Sequence, residues 1–194
     1  MNIPFGISVE MVARLIPRYG EPHRRYHTWS HIGACFDAAE YLTPLPISQE
    51  IVLALLYHDA VYFPFAKDNE EQSAMLLVIE GRRAGLDVGL LKKSAAMILA
   101  TGHASSPESE DACVVVDADL SILGTDEATF DRYESAIREE YKAVHDEAFA
   151  AGRRKVMQSF LDREWIFSTR IGRAIWEETA RANIKRSVRK WSKR

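Results

Sequence analysis

The sequence predicts an all-α protein, and three observations support that expectation. Apolar residues recur at spacings of three and four along most of the chain, the period of an amphipathic helix. The strict alternation of a half-buried strand is nearly absent. Breakers separate the periodic runs: Gly20 and Pro22, the stretch Thr43-Pro44-Leu45-Pro46, Pro64, and Gly124.

The pattern predicts a first helix over Ser8–Arg18, closed by Gly20. A second runs from Thr28 to Leu42. Ser48 is placed to cap a third, which should reach Tyr62 before Pro64 stops it. Asp68 or Asn69 caps a fourth, to Arg83, and a fifth covers Leu90–Ala100. The segment from His103 to Glu110 reads as a loop. The run Ala112-Cys-Val-Val-Val could be a buried strand, but helical surroundings and the stop at Gly124 favour helix. Three further helices are expected at Glu127–His145, Glu147–Leu161 and Thr169–Val188.

At 194 residues the chain fits one domain, spanning 1–194 with its core at about 15–185. Hydrophobic residues make up 47%, enough for a sizeable core, and the net charge of −3 gives no overall pull towards nucleic acid or an anionic membrane. The basic tail 185–194 (Lys185, Arg186, Arg189, Lys190, Lys193, Arg194) reads as a solvated helix end and is too short to argue for nucleic acid. Cys35 and Cys113 lie in apolar runs and read as buried thiols, not a disulfide framework. The amino terminus lacks the pattern of a secretory signal, and no stretch approaches the ~18 apolar residues of a membrane span, so a cytoplasmic protein is expected.

Histidines and aspartates in apolar surroundings are the chemical signal. On a helix His58 shares a face with Ile51, Leu55 and Tyr62, and Asp59 sits about 100° around, still near Val52 and Leu55. A buried carboxylate requires a cation or a firm set of hydrogen bonds. His31 lies inward on the preceding helix, with His27, Cys35, Ala38 and Leu42. Consecutive helices usually pack together, so His31 can meet His58-Asp59. Asp117-Ala118-Asp119 places two more carboxylates among valines and leucines. They point about 200° apart on a helix, so one of them at most should reach a shared ion. Two imidazoles with carboxylates suit one divalent ion (Mn, Mg, Fe, Co, Ni or Zn) with room left for water and substrate.

The order His31, His58-Asp59, Asp119 resembles the HD superfamily of metal-dependent phosphohydrolases. Tyr19-Gly-Glu-Pro-His-Arg-Arg-Tyr-His-Thr-Trp-Ser-His31 is similar to the opening motif of one bacterial branch of that superfamily. Tyr57-His-Asp-Ala-Val-Tyr62, Asp68-Asn-Glu-Glu-Gln-Ser-Ala74, Ala100-Thr-Gly-His103, Asp117-Ala-Asp-Leu-Ser-Ile-Leu-Gly124, Glu139-Glu-Tyr141 and Gly152-Arg-Arg fit the same branch. The resemblance implies an HD-like helical bundle with a central metal site. It implies His31, His58, Asp59 and the last aspartate as ligands, Asp119 by its Ala-Asp context, with Asp117 as the alternative. Only His103 stands between the HD pair and that aspartate, which favours a single metal.

Asp59 and Glu70 are the expected catalytic carboxylates, Glu70 as a proton carrier or water orienter on a helix face with Ser73, Ala74 and Leu77. Arg24, His27 and His103 are the expected contacts to a substrate phosphate. Trp29, Tyr57, Tyr62 and Phe63 read as core packing before cavity wall. The expected activity is hydrolysis of a phosphomonoester or phosphoanhydride on a small, nucleotide-like molecule, with a homodimer as the one assembly considered and no membrane partner. The rivals are a non-catalytic HD module that senses a nucleotide and an iron-dependent HD-fold oxygenase. No P-loop or Rossmann glycine pattern is present to identify the substrate.

Overall fold

The computed structural model describes residues 7–43, 46–103 and 106–192. Pro44 and Leu45 of the breaker, Ala104 and Ser105 of the loop, Lys193 and Arg194 of the basic tail, and residues 1–6 lie outside the described residues. The described residues form helices and connections, with no strand. The helices are α1 (Val9–Tyr19), α2 (Trp29–Leu42), α3 (Gln49–Tyr57), α4 (Asn69–Arg83), α5 (Val88–Ala100), α6 (Glu110–Leu120), α7 (Glu127–Glu140), α8 (Asp146–Leu161) and α9 (Arg170–Trp191). A 3-10 turn, Ser121–Gly124, follows α6.

Local chemistry explains most of the helix starts. Ser48 Oγ accepts from Ile51 N–H at 3.3 Å, the expected cap of α3. Ser8, Asp87, Ser109, Asp126 and Thr169 cap α1, α5, α6, α7 and α9 in the same way. Asp68 stands at the α4 cap position without that bond, and its carboxylate instead accepts from Gln72 Nε2 at 3.0 Å.

α3 is the centre of the first core. Every residue from Ile51 to Tyr57 is buried, and α2, α4, α5 and α6 pack around it. A second core joins α6, the 3-10 turn, α7, α8 and α9 through Val116, Leu120, Leu123, Phe130, Met157, Phe160 and Ile184. α6 is shared. Val114, Val115 and Ala118 face the first core, and Val116 and Leu120 the second. A helix buried on both sides needs no polar stripe, so its apolar run could be mistaken for a strand.

Three sequence expectations shift. The third helix ends at Tyr57, not Tyr62, and His58-Asp59 lies in the turn that follows. Long-range contacts fix that turn: the Arg24 guanidinium donates to Asp59 O at 2.7 Å and Ala60 O at 3.4 Å, and Ser73 Oγ bonds both Val61 N–H (3.0 Å) and Val61 O (3.2 Å). The seventh helix stops at Glu140, and His145 stands instead at the cap position of α8, without a side-chain cap bond. Residues 185–191 of the basic tail continue α9, whose last residue, Trp191, is buried and donates to Glu134 Oε2 at 2.7 Å. Of the two thiols, Cys35 is buried and Cys113 half-buried. No helix among the described residues is long and apolar enough to cross a membrane.

Candidate metal centre and its cavity

Four separate elements deliver the candidate ligands to one point. His31 lies in the first turn of α2, His58 and Asp59 just beyond α3, Asp119 near the end of α6, and His103 in the loop after α5. His31 Nε2 is 3.2 Å from His58 Nε2, 3.4 Å from Asp59 Oδ2 and 3.2 Å from Asp119 Oδ1. His58 Nε2 is 3.2 Å from Asp59 Oδ2 and 3.6 Å from Asp119 Oδ1. Donors bound at about 2.1 Å to one ion would lie about 3.0 Å apart along an octahedral edge and about 3.4 Å along a tetrahedral one. The observed spacing has that scale.

Two further observations fit a cation. Asp59 Oδ2 is buried and makes no hydrogen bond of sound geometry, although two imidazoles flank it. His58 Nδ1–H donates to Leu55 O at 3.0 Å, which turns the Nε2 lone pair to the cluster. His31, Cys35, His58 and Asp119 each offer a donor within 4.8 Å of the others, so the cluster could hold a metal ion. Cys35 Sγ lies 3.6 Å from both ring nitrogens of His31, against the ring. Asp59 faces both imidazoles and is the better fourth donor for a hard or borderline ion.

Charge balance at the cluster is tight. Burial opposes the charge on Asp59, but the neighbouring positive charge of His58 and His27 holds its carboxyl well below the usual range. Burial likewise disfavours a charged His58, yet the Asp59 and Asp119 carboxylates push it well above the ordinary histidine range. The carboxylates therefore demand positive charge here, from protons or from a cation.

Asp117 does not reach the cluster. Its Oδ1 and Oδ2 accept from Ser168 N–H and Thr169 N–H, both at 2.7 Å, and so fix the chain entering α9. Gly172 permits this approach, because a Cβ there would lie 2.7 Å from Asp117 Oδ2.

A cavity of about 540 Å³ opens from the cluster, and His27, His58, Asp59, Glu70, His103 and Asp119 all line it. Glu70 is half-buried in the first turn of α4, and burial, with help from the Asp59 charge, raises its carboxyl above the usual value. His103 Nε2 stands 3.3 Å from Asp119 Oδ2. Its backbone is left-handed at φ 56°, sparse territory for a residue with a side chain, and Arg163 Nη2 donates to its carbonyl at 3.0 Å. Tyr62 also walls the cavity, whereas Trp29, Tyr57 and Phe63 do not.

Arg24 is not brought to the cavity. It is buried, and its guanidinium donates to His27 O, Asp59 O and Ala60 O and to Glu21 Oε2. It holds the backbone that carries the HD pair.

Glu140 has a role the sequence reading did not assign. Its Oε1 accepts from the backbone N–H of Arg25 (2.7 Å), Tyr26 (2.8 Å) and His27 (3.1 Å). Its Oε2 accepts from Tyr62 OH at 2.9 Å and from His27 Nδ1–H at 2.7 Å. Burial opposes its charge, yet these donors hold the carboxyl down at about 2. His27, stacked on Tyr62 with ring centroids 4.0 Å apart, is thereby fixed with its other ring nitrogen free. The only sequence sign was an acid beside Tyr141 on a charged helix, which does not distinguish a buried carboxylate from a solvated one.

No family model matches the chain, and no curated protein or solved structure matches it either.

Proposed function

We propose that the protein is a metal-dependent phosphohydrolase acting on a phosphomonoester or phosphoanhydride, with His31, His58, Asp59 and Asp119 holding one divalent ion. One observation carries the reading. Two imidazole nitrogens lie 3.2 Å apart and each lies 3.2–3.6 Å from two carboxylate oxygens brought from distant parts of the chain, beside a cavity, and one of those oxygens is buried without a hydrogen bond. The convergence supports the HD resemblance seen in the sequence.

A divalent ion bound there would polarise a phosphoryl oxygen and lower the pKa of water. The chain's own groups cover the remaining tasks. Asp59 and Asp119 supply negative charge that retains the ion. The raised carboxyl of Glu70 is suited to accept or return a proton at the reacting end of the cavity. His27, anchored through Nδ1 by Glu140, presents its free nitrogen to the same space. His103 braces Asp119 from the opposite side.

The test is elemental analysis of purified protein, followed by a phosphatase screen over nucleotides and sugar phosphates with added Mn, Co, Ni or Mg. Metal at about one per chain, and release of inorganic phosphate that disappears in His58→Ala and Asp59→Ala, are the expected results. Phosphate release that survives Asp59→Ala would refute the assignment.

A further inference from the structure

The cavity lining combines the charged cluster with a set of apolar side chains. Resting on the phosphohydrolase reading, we infer that the substrate is a monoester with a largely apolar organic group, and that a polyphosphate chain is excluded. Leu123, Ile137, Phe149, Val156 and Phe160 supply apolar wall, with Tyr133, Tyr141 and the paired Arg153 among them. A phosphoryl group seated at the cluster leaves the rest of the substrate against these side chains.

Charge excludes the alternative. Among the described residues lining the cavity, Arg153 is the one arginine or lysine. Its Nε and Nη2 donate to Glu134 Oε1 at 2.8 and 2.5 Å, and its guanidinium lies 4.9 Å from the centroid of the Tyr133 ring. Glu134 is in turn locked by Ser187 Oγ at 2.9 Å and Trp191 Nε1 at 2.7 Å. That cation is therefore neutralised, and one edge of its fork is occupied. At the cluster end the cavity presents three carboxylates, Asp59, Glu70 and Asp119. A divalent ion offsets part of their charge, which leaves no unpaired arginine or lysine in the described lining to receive the β- and γ-phosphates of a nucleoside triphosphate. Those phosphates would give up water with only the imidazole, hydroxyl and amide groups of His27, His103, Tyr133, Tyr141 and Asn69 to replace it, and no unpaired cation.

Esters of primary alcohols have similar intrinsic reactivity, so hexyl phosphate, benzyl phosphate and glycerol 3-phosphate isolate the contribution of the wall. With Mn-loaded protein, kcat/KM for the first two is expected to exceed that for glycerol 3-phosphate by about tenfold or more, on the scale at which apolar sites discriminate methylenes. Val156 is half exposed, so Val156→Asp can be made without disturbing a core, and it should erase the preference with metal content unchanged. Calorimetric titration of benzylphosphonate and tripolyphosphate separates this inference from the hydrolase reading. Tighter binding of benzylphosphonate with no ester turned over would leave the apolar site standing and remove the enzyme. Equal or tighter binding of tripolyphosphate, binding of neither, or equal turnover of glycerol 3-phosphate would overturn the inference.

Discussion

Replacing Arg24 by lysine separates two roles for that residue, a contact to substrate phosphate or a clamp on the backbone of the HD pair. The guanidinium serves His27 O at 3.0 Å, Asp59 O at 2.7 Å and Ala60 O at 3.4 Å, and it stacks near Tyr19 and Tyr62. Lysine keeps the charge but offers a point donor where a planar fork is used, so it can serve one of these carbonyls and leaves two unmatched. An orphaned buried acceptor costs about 1–3 kcal/mol, and the 3.4 Å contact is the weaker of the pair, so a loss of about 3 kcal/mol is expected. For a chain of this length that is a fall in melting temperature of about 6–12 °C. Because the turn carrying Asp59 is loosened, affinity for Mn should fall by about 10–100-fold, as for other residues that hold a ligand in place. Urea unfolding and a Mn titration on wild type and Arg24→Lys provide both numbers. Unchanged stability and metal affinity with a raised KM would refute the clamp and return Arg24 to the substrate.

Other perturbations follow from the same contacts. Asp119→Asn should abolish metal binding. Asp117→Asn should retain it while losing about 1–3 kcal/mol in chemical unfolding, because the amide accepts only one of the two N–H groups from Ser168 and Thr169. Glu140 titrates near 2 in the folded protein, below its ordinary value of 4.5, so the stability it contributes is present above about pH 4.5 and lost as pH falls towards 2. Glu140→Gln should be less stable than wild type at neutral pH, with a flatter stability profile across that acid window, and parallel profiles would contradict the assignment. Gly172→Ala should lower the melting temperature by driving a Cβ into Asp117, with Mn affinity intact.

The sequence made the residues of the cluster readable for a simple reason. His31, His58 and Asp119 interrupt apolar runs at inward positions, where a polar group requires a partner. The all-helical architecture was readable from the same periodicity, including α6, whose valines line both cores. What stayed hidden depends on contacts between distant residues. Nothing near Tyr57 ends α3, because the stop is made by Arg24 and Ser73. Arg24 reads as a contact to substrate phosphate until its three carbonyl partners are seen. Asp117 and Asp119 differ only in which side of α6 they occupy, and the packing of α9 decides that Asp117 faces Ser168 and Thr169. Glu140 stood in a motif that resembles the family, but its role stayed hidden, since its five donors lie at Arg25, Tyr26, His27 and Tyr62.

The separation in sequence between Glu140 and residues 25–27 also bears on how the molecule is assembled. The bonds that shape the chain ahead of α2 span 113 to 115 residues. During synthesis the amino-terminal part emerges first. It can bury α3 among its neighbours while three backbone N–H groups beside His27 still face water. They acquire their acceptor only when α7 has been made and docked. Closing so long a loop costs entropy before any bond repays it, which makes such contacts slow to form. The first core can thus be in place before the cavity has its final shape, and His27 is set only once α7 has docked.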